Sequence, residues 1–172
     1  AGDWAGGERG IACHPGREAE FQDGVGAAIA YAKGLGVKQL NCLAGIVPPG
    51  VAPEEARSTL VSNLGFAAGK LKGEGIRLLI EPINTFDIPG FFLHGTRQAL
   101  DLIHAAGSDN LFLQYDIYHM QRMEGELAAT IKANLGLIRH IQLADNPGRF
   151  EPGTGEINYR YLLGMLDEIG YA

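Results

Sequence analysis

The 172-residue sequence is 46% hydrophobic and 20% charged, an ordinary globular composition with enough apolar material for a sizeable core. Its formal net charge is −6, and its 14 Lys and Arg are dispersed along the chain, which argues against a nucleic-acid backbone or an anionic membrane as partner. No stretch reads as a signal peptide or a membrane span. The two cysteines, Cys13 and Cys42, have no metal-ligand spacing and fit free thiols in a reducing, cytoplasmic setting.

The first ten residues, AGDWAGGERG, read as an interior loop, and LDEIGYA at the other end reads as a helix running into a turn. Both ends look cut, so the expectation is a single partial domain over residues 1–172, truncated at both ends. Between them, apolar runs alternate with helical patterns. Arg17 to Lys33 spaces Phe21, Val25, Ala28, Ile29 and Ala32 as one helical face. The run VKQLNCLAG (37–45) is strand-length. A helix opens at Pro53, whose fixed φ suits a first turn, with Glu54 and Glu55 at the positive helix end. Its apolar face is Leu60, Leu64, Ala67, Ala68 and Leu71.

The run IRLLIEPIN (76–84) is the second predicted strand, followed by a helix from about Thr96 to Ala106. LFLQYDIYH (111–119) is the third strand, with a helix from Glu124 to Leu135 after it. IRHIQLAD (138–145) is the fourth, and a last helix starts near Asn158. Each strand follows a helix stop rich in Gly, Asn or Asp. Strand–helix alternation with buried strands predicts an α/β fold with a parallel sheet and right-handed crossovers. No glycine-rich nucleotide fingerprint follows a strand, and polar residues gather at strand ends. This favours part of a (β/α)8 TIM barrel, about four strands with their helices, over an open doubly wound sheet.

The chemistry sits at those ends. Glu81, Asp116 and Gln142 each follow an apolar stretch near the C-terminal end of a strand, where barrel active sites collect side chains. Three oxygen donors around one mouth suit a hard or borderline divalent cation such as Mg²⁺ or Mn²⁺. An isolated acid at a strand end is more often solvated or a helix cap, so the case rests on three such residues in consecutive units. His119, three residues past Asp116, reads as a loop histidine that either bonds a backbone carbonyl or donates to a substrate oxygen. His140 starts its strand and reads as structural. The polar, glycine-rich segment ADNPGRFEPGTGEINY (144–159) reads as a loop able to close over a ligand. Its one cation, Arg149, is either a surface arginine or a clamp for a carboxylate. Glu156 reads as part of a helix N-terminal capping arrangement.

The stretches GDWAGGERGIACHPGRE, LLIEPINTFDIPGFFL, GTRQALDLI, QYDIYHMQRMEGEL and DNPGRFEPGTGEINY closely resemble the hydroxypyruvate isomerase family. That family lies in the xylose-isomerase-like group of TIM barrels, beside the ketose 3-epimerases. The resemblance spans essentially all 172 residues and implies barrel strands four to seven. It implies metal ligands at Glu81, Asp116 and Gln142, and a glutamate acid/base pair comprising Glu81 and a second glutamate expected beyond Ala172. It implies substrate contacts at His119 and Arg149.

The implied activity interconverts hydroxypyruvate and tartronate semialdehyde through an enediolate. It takes a small anionic keto-acid, needs no organic cofactor, and acts on neither nucleic acid nor membrane. The alternatives are an isomerase or epimerase of another small keto-acid or ketose, such as a 2-oxo-tetronate, and a catalytically incompetent fragment. Metal-dependent DNA-repair endonucleases share the barrel but call for a histidine-rich zinc cluster and a basic face, neither of which the sequence shows. Open edges on a four-stranded sheet would also favour association of the chain with itself.

Overall fold

A computed structural model describes residues 2–171. Ten elements follow one another as α1 (Glu18–Leu35), β1 (Gln39–Cys42), α2 (Pro53–Gly73), β2 (Arg77–Ile80), α3 (Thr96–Ala106), β3 (Leu111–Asp116), α4 (Ile117–Met123), α5 (Leu127–Asn134), β4 (Ile138–Gln142) and α6 (Tyr159–Glu168). The four strands form one parallel sheet in the order β1-β2-β3-β4, so each crossover returns the chain beside the strand it left. The expected parallel α/β arrangement is present.

Local chemistry sets the boundaries. Pro53 occupies the first turn of α2, followed by Glu54 and Glu55. At the end of α1, Gly36 takes a left-handed φ of 70° and its N–H returns to the carbonyls of Ala32 and Lys33, the conformation for which glycine has no steric penalty. The strands are shorter than the apolar runs that announce them, because the residues after Cys42, Ile80 and Gln142 leave the ladder for loops.

The sheet separates two chemistries. Leu78, Ile80, Leu111, Leu113, Tyr115 and Ile138 join one apolar cluster with Leu60, Leu64 and Leu71 of α2, Leu102 of α3, Ile131 of α5 and Met165 of α6. Strand alternation turns the intervening residues to the other face. The register pairs Asn41 with Leu79, Gln114 with His140, and Asp116 with Gln142. That face therefore carries a row of polar side chains with Glu81 just past β2.

Three expectations change. His119 lies within α4, a helix that starts directly at the tip of β3, rather than in a loop. His140 stands mid-strand opposite Gln114, on the same face as Gln142. The N-cap of α6 is Asn158, which accepts from the Tyr161 N–H, whereas Glu156 accepts from the side chains of Asn146 and Gln121. Among the described residues no helix is long and apolar enough to cross a membrane.

Candidate active site

Asp116 closes β3 and opens α4. Its Oδ1 accepts the His119 N–H at 3.2 Å, so the helix-cap role open to an acid at a strand end is real here. The second oxygen, Oδ2, is left to the site. It lies 3.6 Å from His119 Nε2 and 3.5 Å from Arg149 Nη2. Asp116 is 2% exposed, so this is a buried carboxylate whose charge needs compensation.

Glu81 meets the same point from β2. Two amides hold its Oε2, Asn41 Nδ2 at 2.6 Å and Gln114 Nε2 at 2.7 Å. Among the described residues its Oε1 takes no hydrogen bond, and it stands 3.9 Å from His119 Nε2. One oxygen is thus an anchor and the other is presented. Burial, and then the charge of Asp116, push the Glu81 carboxyl up to about 7, against the opposing pull of Asn41, Arg149 and Gln114. A carboxyl poised near neutrality is suited to exchanging protons at physiological pH.

Gln142 enters through Gln114, whose Nε2 also donates to Gln142 Oε1 at 2.9 Å. The amide of Gln114 therefore ties the acid of β2 to the amide of β4. Behind His119 stands a second layer. Asn84 Nδ2 donates to His119 Nδ1 at 2.7 Å and to Asp87 Oδ2 at 3.0 Å, and Asp87 also takes Tyr118 Oη at 2.9 Å and pairs with Arg122. Burial holds the His119 pKa below the ordinary imidazole value, although the Asp116 charge pulls it the other way.

Arg149 arrives from the loop after β4. Asp145, with no exposed surface, accepts the backbone N–H groups of Asn146 at 2.9 Å, Gly153 at 2.7 Å and Ile157 at 3.1 Å. Asp145 and Phe150 also form an antiparallel bridge, which folds Asn146 to Arg149 back on itself. A Cβ at Gly155 would meet the Asn146 carbonyl at 2.2 Å, so only glycine permits that approach. The half-exposed Arg149 guanidinium lies over the Tyr118 ring at 5.3 Å and reaches both Asp116 and His119.

The structure thus brings Glu81, Asp116, His119 and Arg149 to one place and links Gln142 to it through Gln114. Glu81, Asp116 and His119 each offer an atom within 4.8 Å of the others. Two buried carboxylates, with Glu81 Oε1 and the weakly held Asp116 Oδ2 turned to one point, fit a hard divalent cation, which would relieve their mutual repulsion. The sequence reading passed over Asn41, Gln114, Asn84 and Asp87. Gln114 was discoverable, since a residue two before Asp116 must share its face.

The sequence model of the xylose isomerase-like TIM barrel family matches residues 5–172. The chain is 62% identical to a hydroxypyruvate isomerase of Escherichia coli over 99% of its own length and 66% of that protein's. It is 43% identical to a 2-oxo-tetronate isomerase of Cupriavidus necator, over 99% of this chain and 65% of that one. A crystal structure described as an AP endonuclease, family 2, from Brucella melitensis superposes with a TM-score of 0.95 at 40% identity, covering 99% of this chain and 66% of that one. The chain spans just under two thirds of the length of these relatives. The chain belongs to the xylose isomerase-like TIM barrel family.

Proposed function

We propose that the protein is an intramolecular oxidoreductase that interconverts hydroxypyruvate and tartronate semialdehyde, with Glu81 moving the proton. The observation that carries this reading is the split environment of Glu81: Oε2 anchored by two amides, Oε1 free beside His119 and Asp116, and the carboxyl held near neutral pH by burial. The names of the hydroxypyruvate and 2-oxo-tetronate isomerases that it resembles support a small 2-oxo acid as substrate.

Glu81 Oε1 takes a proton from C3 of hydroxypyruvate, and the C3–H electrons become the C2=C3 bond of an enediolate. The former C2 carbonyl oxygen gains a proton, the C3 hydroxyl loses one to become the aldehyde, and a proton is returned at C2. That return calls for a second acid on the opposite side of the carbon from Glu81. Arg149 supplies a cation for the substrate carboxylate. His119 donates to an oxygen on which negative charge grows. A divalent cation held by Glu81, Asp116 and Gln142 would supply Lewis acidity to the substrate oxygens.

The isomerase reading is favoured over an endonuclease activity, the one that the name of the Brucella protein carries. The cluster here is two carboxylates beside one histidine, on a chain with a net charge of −6. The test is deuterium uptake from solvent at C3 of hydroxypyruvate, followed by NMR, with 2-oxo-tetronate run alongside. The full chain should exchange hydroxypyruvate faster. Glu81→Gln should slow exchange by about 10²–10⁴-fold while still binding substrate. Undiminished exchange by that variant would sink the assignment.

A further inference from the structure

The hydrogen bonds of Asn84 decide which nitrogen of His119 faces the site. An amide side chain is ambiguous until its partners are counted. Here the partners leave no choice. Asn84 Oδ1 receives the backbone N–H groups of Phe86 at 3.1 Å and Asp87 at 2.9 Å, and a backbone N–H is always a donor. The acceptor end of the amide is therefore fixed at that turn. The NH₂ end must point the other way, where it finds the Asp87 carboxylate and His119 Nδ1. The backbone N–H of Asn84 adds a longer contact to the same nitrogen at 3.4 Å.

Both groups that Asn84 aims at Nδ1 are donors, so Nδ1 presents a lone pair and carries no proton. A ring nitrogen that accepts excludes the imidazolium. In the neutral ring the single proton then belongs to Nε2. Nε2 is the nitrogen that faces Asp116 Oδ2 at 3.6 Å and Glu81 Oε1 at 3.9 Å.

We propose that Asn84 is a positioning residue that fixes His119 in its Nε2–H form, so that His119 enters the site as a proton-bearing donor and not as a lone-pair metal ligand. The proposal rests on the isomerase reading for its effect on turnover, though not for the state of the ring. It separates the three residues whose ligand atoms cluster within 4.8 Å into two carboxylates that can hold a cation and an imidazole that cannot. It also redefines the 3.3 Å approach of Arg149 Nη2 to Nε2. With both nitrogens protonated this is no hydrogen bond. It is a pair of convergent donors, suited to an oxygen that carries negative charge.

Asn84→Asp isolates the role. An aspartate keeps an oxygen for the Phe86 and Asp87 N–H groups, so the turn survives, but it turns the donor facing Nδ1 into an acceptor. The double variant Asn84→Asp with Asp87→Asn removes the repulsion that two adjacent carboxylates would create. The readout is the long-range ¹H–¹⁵N spectrum of ¹⁵N-histidine-labelled full chain, at a pH where imidazole is neutral. The His119 signals are assigned by their loss in His119→Asn.

The unsubstituted chain should show Nε2 protonated and Nδ1 bare, with or without Mg²⁺. Both Asn84 variants should show the proton on Nδ1, with hydroxypyruvate turnover down about 100-fold or more. A proton on Nδ1 in the unsubstituted chain, retention of Nε2–H in both variants, or inversion with turnover unchanged would each overturn the proposal. An unsubstituted chain with Nε2–H that turns over no keto-acid would overturn the isomerase reading instead, and would leave the ring assignment standing.

Discussion

The Asp145 carboxylate accepts the backbone N–H of Ile157, twelve residues further along the chain, at 3.1 Å. With Asn146 and Gly153 also donating to it, one side chain closes the loop that carries Arg149. Burial would raise the Asp145 pKa, but these backbone donors outweigh it and hold the carboxyl below its usual range. Asp145→Ala should therefore free the loop without touching Glu81. The expected result is a KM for keto-acid raised about 10–100-fold, a smaller change in kcat, and faster proteolysis between Asn146 and Ile157. Equal losses in kcat and KM would contradict the anchoring role.

Glu81 makes stability depend on pH in a defined direction. Its folded-state pKa, about 7, lies above its ordinary value of 4.5, so the folded protein binds more protons between those limits. Stability from this group is present in full below about 4.5 and falls as pH rises through about 7. The shift corresponds to about 3 kcal/mol, with the carboxyl only 5% exposed. Denaturant unfolding of the metal-free chain and of Glu81→Gln, at about pH 5 and about pH 8, should show the variant gaining relative to its parent as pH rises. Parallel pH curves would contradict the burial of an ionisable Glu81.

Glu81 and Asp116 were legible in the sequence because an acid after an apolar run violates the pattern of a buried strand. Asn41 and Gln114 break the same pattern less sharply, since an uncharged amide in a strand is cheap to bury once bonded. They become meaningful only when the register sets them beside Glu81. The α4 helix was hidden because Ile117 and Tyr118 continue the strand-like composition, and the turn into helix depends on Asp116 capping the His119 N–H. The role of Asn84 could not be read at all. Its partner lies 35 residues away, and its meaning depends on which end of an amide faces which atom.

Gln114 supplies both hydrogens of one amide nitrogen, to Glu81 Oε2 at 2.7 Å and to Gln142 Oε1 at 2.9 Å. Gln114→Leu removes both at nearly constant volume. Glu81 loses a bond that favours its ionised form, so the acidic limb of the kcat/KM profile should move to higher pH. Activity should fall at neutral pH and recover at alkaline pH. A buried acceptor at Glu81 and a part-buried one at Gln142, each left short of a donor, should cost about 1–3 kcal/mol in denaturant unfolding. An unmoved acidic limb would show that Gln114 does not tune Glu81.

Cation binding follows from Glu81 Oε1 and Asp116 Oδ2, which face one buried point where Oδ2 is met by a long 3.5 Å contact from Arg149. A cation that binds the folded chain alone stabilises it by about 2.7 kcal/mol at one hundred times its Kd. Thermal unfolding with Mn²⁺ or Mg²⁺ should therefore show an upward shift that saturates. The shift should grow from about pH 5 to about pH 8, because the cation takes the ionised form of Glu81 and displaces its proton. Asp116→Asn should abolish most of it, since an amide removes the charge that draws the ion while leaving an oxygen able to cap α4. His119→Ala should leave it nearly intact, because His119 takes no part in holding the ion. An equal shift in Asp116→Asn would place the cation elsewhere on the protein. No shift with either metal would leave the two carboxylates to be neutralised by a shared proton and by Arg149 alone.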